Sequence, residues 1–150
     1  ENQALAKLVH FQTYDPRLLP VTVNGIDSIH VCMYFLPELM AQAQLDKQVF
    51  GVQLASYLCE KYPMQRCIEL ARIALQKVRA IVATGSESKE IKDAVSACIA
   101  PIARFAVSLP FLAPDCTQLL QEIRTTFNND SSLCEQAKNA FAFFVSKRIN

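Results

Sequence analysis

Leu45-Asp46-Lys47-Gln48-Val49-Phe50-Gly51-Val52-Gln53-Leu54-Ala55-Ser56-Tyr57-Leu58-Cys59 is the run whose side-chain pattern sets the fold class. Wound as a helix, it carries apolar residues on nearly every side. Its polar residues gather in one narrow line, Asp46, Gln53 and then Glu60, seven positions apart. A helix lying on a protein surface shows a single apolar stripe, whereas one apolar almost all round needs packed neighbours on most sides. The run therefore predicts a helix held inside a stack of other helices. Tyr62-Pro63 closes it, and a second helix is expected from Arg66 to Val82. Cys67, Leu70, Ala71, Ala74, Val78 and Ile81 face inward there, and Glu69, Arg72, Gln76 and Arg79 face outward. Thr84-Gly85 is the expected C-terminal cap. So short a connection makes the two helices an antiparallel pair.

The same rhythm continues on both sides of this pair. Toward the C-terminus, Ser86 or Ser88 caps a third helix with an inner stripe of Ile91, Val95, Cys98, Ile102, Phe105, Ala106 and Leu109. Its Lys92, Asp93, Ser96 and Arg104 are expected on the opposite side, and Pro101 is expected to kink it. After Pro110 to Pro114, Asp115 and Gln118 resemble a capping box ahead of the stripe Cys116, Leu120, Ile123 and Phe127. Ser132-Leu133-Cys134-Glu135 is a fuller capping box. It opens a last helix through Ile149 with Leu133, Ala137, Ala140, Phe141, Phe144 and Val145 inward.

Toward the N-terminus, Asn24-Gly25 marks a turn. The apolar segment Ile26 to Leu36 is expected to be buried until Pro37 forces a break or a fresh start. Asp15-Pro16 opens a short helical turn, and Leu5, Leu8 and Val9 suggest the tail of a first helix. The sum is about six or seven helices with short loops and no strand ladder. The fold is expected to be all-α, a helical array of antiparallel helix pairs. That makes residues 1–150 a single interaction domain, a HEAT-like or α-solenoid-type fragment cut from a much longer chain. No repeat of fixed period aligns, and tetratricopeptide and ankyrin signatures are absent.

Composition narrows the function classes. The 150 residues are 51% hydrophobic and 19% charged, enough to bury a core without metals or disulfides. A net charge of +1 supplies no general field for a polyanion, so any nucleic-acid contact must be local. The three glycines Gly25, Gly51 and Gly85 stand alone and build no phosphate-cradling loop. The most apolar stretch, Ala97 to Ala113, contains Arg104, Ser108, Pro101 and Pro110 and falls short of a membrane span, so the chain reads as soluble. The six cysteines, Cys32, Cys59, Cys67, Cys98, Cys116 and Cys134, lack clustered spacing and read as reduced core residues. Asn129-Asp130-Ser131 matches a glycosylation acceptor, but the cysteines argue against a secretory route.

Catalytic chemistry finds little to work with. His30 and Cys32, two positions apart on a helix, point to different faces, and His10 stands alone. Cys59 and Cys67 flank a turn as core neighbours rather than zinc ligands. The carboxylates Asp46, Glu60, Glu69, Asp93 and Glu122 are scattered on outward faces, with no apolar pocket holding two together. No catalytic, cofactor-binding or metal-ligating residue is assigned, no cofactor is expected, and the chain reads as a non-enzyme. The one cluster of positive charge, Arg66, Arg72, Lys77 and Arg79, reads first as a solvated helix face. Arg72, Gln76 and Arg79 are its candidate partner-binding residues, for an acidic partner or, as the alternative, RNA. The stronger interaction candidate is Phe143, which the inward stripe leaves on the side of Gln136, Asn139 and Lys147.

From Phe35-Leu36-Pro37-Glu38-Leu39-Met40-Ala41-Gln42 through Gln44-Leu45-Asp46-Lys47-Gln48-Val49-Phe50 and Gln53-Leu54 to Tyr57-Leu58-Cys59, the sequence resembles the C-terminal region of the Integrator complex subunit 2 family. The resemblance continues more loosely at Ala71-Arg72, Leu109-Pro110, Asp115 and the helix after it. It implies a non-catalytic, all-helical scaffold subunit of a nuclear assembly. That assembly associates with RNA polymerase II, cleaves nascent small nuclear RNA and other transcripts, and attenuates transcription. Nuclease and phosphatase chemistry would belong to other subunits, and the implied partners are those subunits, the rest of the parent chain and the polymerase assembly. The alternatives are an RNA-contacting helical module, a HEAT-like adaptor of another intracellular assembly and, least favoured, a cysteine-dependent enzyme.

Overall fold

Long helices account for nearly all of the described chain: α1 (Leu45–Lys61), α2 (Gln65–Ala83), α3 (Lys89–Ser108), α4 (Ala113–Thr126) and α5 (Ser131–Ile149). A 3-10 turn over Pro110–Leu112 joins α3 to α4. The computed structural model describes the backbone of residues 22–23, 26–27, 36–61 and 65–149, and the side chains of 36–61 and 67–147. The helices expected around Leu5 to Val9 and after Asp15-Pro16, the Tyr62-Pro63 break and most of Ile26 to Leu36 lie outside these residues. Residues 36–40 are helical, with Leu36, Leu39 and Met40 buried against the core.

One local expectation is corrected. Thr22–Val23 and Ile26–Asp27 form a two-residue antiparallel pair, Thr22 opposite Asp27 and Val23 opposite Ile26. Strands were not expected here, and the Asn24-Gly25 turn read from the sequence lies outside the described residues. The β-branched Thr22, Val23 and Ile26 favour extended backbone.

The helices lie in two layers. α1, α3 and α5 stand side by side, α2 and α4 form the second layer, and α3 packs against all four others. Polar contacts show the direction of each helix in the first layer. Gln53 and Glu60 of α1 meet Ala97 and Arg104 of α3 in the same order, so these helices run parallel. Lys92 and Ser96 of α3 meet Asp130 and Gln136 likewise, so α5 runs parallel to both. Sequential helices are antiparallel, and the predicted pair α1–α2 closes with the Cys59 Sγ–H donating to Cys67 O at 3.2 Å.

All six inward residues predicted for α2 are buried, as are Cys116, Leu120, Ile123 and Phe127 at α4. In α3 only Ile91 of the predicted stripe is half-buried. Phe141 is the exception on α5: it is 42% exposed, although the sequence placed it inward. Among the described residues, helix α5 ends its layer and packs chiefly on α3 and α4, which leaves one flank of its wide apolar face with no long helix of the described chain against it. The Phe141 ring stacks edge-on against buried Phe144, centroids 5.2 Å apart.

The central position of α3 corrects a second expectation. Lys92, Ser96 and Arg104 were read as outward, yet each reaches an adjoining helix or its cap. Arg104 donates from Nη1 to Ser56 Oγ at 2.9 Å and pairs through Nε with Glu60 at 3.0 Å. Ser96 Oγ donates to Gln136 Oε1 at 2.7 Å, and Lys92 pairs with Asp130 at 3.5 Å. A helix packed against four others leaves few of its polar residues to solvent alone. Asp93, by contrast, is exposed.

Pro101 is buried within α3, and the helix continues through it from Lys89 to Ser108. A proline has no N–H, so the carbonyl four residues earlier, that of Ala97, loses its intrahelical donor. Gln53 of α1 supplies one, its Nε2 donating to Ala97 O at 3.5 Å. The polar line that marked α1 in the sequence thus includes a residue that serves the neighbouring helix.

The caps are only partly as expected. Gly85, at φ +63, ends α2, its N–H donating to Val82 O, and Ser88 caps α3 by accepting from the Ile91 N–H. Helix α4 begins at Ala113 with no side-chain cap; Asp115 lies inside its first turn, so the Asp115-Gln118 box is not formed. At α5 the cap is Asp130 rather than Ser132: Asp130 Oδ1 accepts from the Leu133 N–H at 3.0 Å. Ser132 Oγ instead accepts from Gln136 Nε2 at 3.1 Å.

Two predictions follow from these ties. Gln53→Leu is expected to lower unfolding free energy by about 1 kcal/mol, the cost of an unpaired carbonyl. In a Pro101→Ala background, where residue 101 can donate for itself, the same change is expected to cost measurably less in urea titrations; equal costs in both backgrounds would rule out the compensation. For Asp130, the Leu133 N–H and then Lys92 hold the carboxyl below its ordinary 3.8. Its stabilising contribution is complete above that ordinary value and disappears as pH falls through the lowered one. Asp130→Asn keeps a capping oxygen and removes the charge. Its melting temperature should fall below the parent's near neutrality and converge with it in strong acid.

Candidate interaction surface

On the outer face of the first layer, α3 and α5 leave a groove of about 830 Å³ between them. Ala100, Ala103 and Val107 follow one another at three- and four-residue spacing along one wall of α3, beside its buried stripe. Alanines cannot fill the space between two helix axes, which leaves the depression. The α5 wall presents Gln136, Asn139, Phe143 and Lys147, the side that the sequence pattern assigned to Phe143. Phe143 is 51% exposed and Val107 37% exposed. Lys147 Nζ lies 5.6 Å from the centre of the Phe143 ring, a cation–π contact. The Arg104–Glu60 pair and the Ser96–Gln136 hydrogen bond give the groove polar margins around an apolar floor.

The other predicted residues sit on α2 and share no lining with this groove. Arg72 lies 6.0 Å from the centre of the Phe111 ring. Arg79 donates from Nε to Glu122 Oε2 at 3.2 Å, and Gln76 is exposed. Arg72 thus leans on an aromatic ring and Arg79 on a carboxylate, while Glu69 is exposed on the same helix, so the face is mixed in charge. The Arg66 side chain lies outside the described residues.

Sequence reasoning missed Ala100, Ala103, Val107 and Phe111. The first three carried a usable signal, small side chains on a common helix face next to the inner stripe. Phe111, between two prolines, carried none.

The described thiols are poorly placed for nucleophilic work. Cys59, Cys98 and Cys116 are buried, and burial pushes each thiol up to about 12. A protonated thiol is a weak nucleophile. No group of three or more His, Cys, Asp or Glu among the described residues could hold a metal ion, and no helix there is long and apolar enough to cross a membrane. His10, His30 and Cys32 lie outside the described residues.

The model of the Integrator complex subunit 2 family matches residues 1–132. The chain belongs to this family. It is 38% identical to Integrator complex subunit 2 of Mus musculus over 79% of its length, and 39% identical to the Integrator complex subunit 2 homolog of Dictyostelium discoideum over 97%. Its likeness to Integrator complex subunit 2 of Drosophila melanogaster is 28% over 87% of the chain. The chain spans only 10–12% of the length of these relatives. The family match extends well beyond the stretch that carried the resemblance and covers α1 to α4. It ends at the start of α5, so Phe143 and Lys147 lie outside it.

In this Integrator complex subunit 2 family chain, iodoacetamide is expected to modify half-buried Cys134 ahead of Cys59, Cys98 and Cys116 under native conditions, and all of them after unfolding. Peptide mass spectrometry checks the order, and rapid native alkylation of Cys59, Cys98 or Cys116 would contradict the burial argument.

Proposed function

We propose that this chain is a non-catalytic interaction scaffold of the Integrator complex, one α-solenoid-type helical unit whose product is a surface. Family membership supports the assembly, since the relatives bear the name of one of its subunits. The observation that carries the scaffold role is Phe143, half-exposed over a groove whose floor and walls belong to rigid, mutually packed helices. An exposed aromatic beside a depression is the kind of anchor that interfaces are built around. Two layers of interlocked helices resist deformation, so partners docked at different points are held at fixed separation. On this reading the chain acts in the nucleus by holding other Integrator subunits and the remainder of its own polypeptide. It thereby supports small nuclear RNA 3′-end processing and transcription attenuation alongside RNA polymerase II. HEAT-like character is part of the proposal and is supported by the parallel first-layer helices α1, α3 and α5.

The test is co-purification of full-length subunit 2 carrying Phe143→Ser with the other Integrator subunits. Because Phe143 is half-exposed, the variant is expected to fold with an unchanged melting temperature and to lose at least one partner by about tenfold or more, the effect of removing an interface anchor. Retention of every partner at parental yield would overturn the reading.

A further inference from the structure

The groove between α3 and α5 also specifies its occupant. Both walls are α-helices whose backbone donors and acceptors are used internally along the floor, so the groove offers side chains and no sheet edge. An extended strand seated there would leave its own peptide groups unpaired, whereas a helix satisfies them itself. Small residues on the parallel walls, with Ala103 buried in the floor and Ala100 exposed at the lip, let a third helix approach closely and set an apolar ridge between them. Val107 and Phe143 then flank the ridge at one end.

Charge fixes the rest. Of the three charged groups lining the groove, Glu60 and Arg104 neutralise each other at 3.0 Å. Lys147 is left with the Phe143 ring and no carboxylate partner among the described residues. The unbalanced charge is therefore positive and sits beside the apolar anchor, where it favours a carboxylate and repels a cation.

Building on the reading of this groove as an interaction surface, we propose that it receives an amphipathic helix of another protein, apolar on its inner face and acidic where it passes Lys147. The experiment places a photo-crosslinking amino acid at exposed Ala100, and separately at Val107, in full-length subunit 2 within the assembled complex. Captured peptides are then sequenced by mass spectrometry. The expected product is one helical segment of another subunit with Asp or Glu opposite Lys147. Lys147→Glu should cut the yield about threefold or more, the scale of reversing one partly exposed ion pair. Exchanging the partner's carboxylate for lysine should restore it.

Capture of an uncharged or basic segment, of this same polypeptide or of a second copy, or of nothing at either position, would overturn the proposal. So would a yield indifferent to Lys147→Glu. If Phe143→Ser releases a subunit while no acidic helix is captured, the docked-helix proposal fails and the scaffold reading survives; if neither occurs, both fail.

Discussion

Helix α3 is packed against every other long helix of the described chain, and that single requirement orders the rest. A helix in this position must be apolar over most of its circumference, and Val95, Cys98, Ile102, Phe105 and Ala106 are fully buried. It must also find partners for every polar group it retains, because an unpaired buried donor or acceptor costs about 1–3 kcal/mol. Ser96, Arg104 and the Ala97 carbonyl each find one on an adjoining helix. Apolar burial is non-directional and tolerates sliding, whereas these polar contacts are directional. Burial therefore holds the layers together, and the polar ties set where each helix stops along its neighbour.

The same arrangement produces the surface. Between α1 and α3 the seam is closed by Ser56, Glu60 and Gln53 reaching across. Between α3 and α5 the ties lie mainly toward the N-terminal ends, at Lys92–Asp130 and Ser96–Gln136. Beyond them Ala100 and Ala103 are too short to bridge the gap. The groove is thus a consequence of side-chain length at two positions, and its rigidity comes from the core beneath it.

Much of this was legible in the residues themselves. The period of apolar side chains located the five helices within a few residues. It named the buried faces of α2, α3 and α4 and singled out Phe143 as an aromatic left outside. Gly85 and Ser88 announced their caps, since both depend on backbone and side-chain chemistry only a few residues away. Phe141 and Arg104 were misread for a shared reason. Periodicity reports which side of a helix is apolar, but not how many neighbours that helix has. At the end of a layer an apolar residue is left exposed, and at the centre a charged one is drawn into a seam.

Local chemistry was enough to establish the five long helices of the described residues as antiparallel neighbours with Cys59, Cys67, Cys98 and Cys116 in their core, because helix formation and amphipathicity depend on residues three and four apart. Which helices share a layer, that Gln53 serves the carbonyl freed by Pro101, and that Val107 and Phe143 line one groove depended on folding. Those relations join residues some forty positions apart in the chain, and their partners are chosen by competition among all possible packings of similar apolar stripes, not by any preference written into the stripes alone.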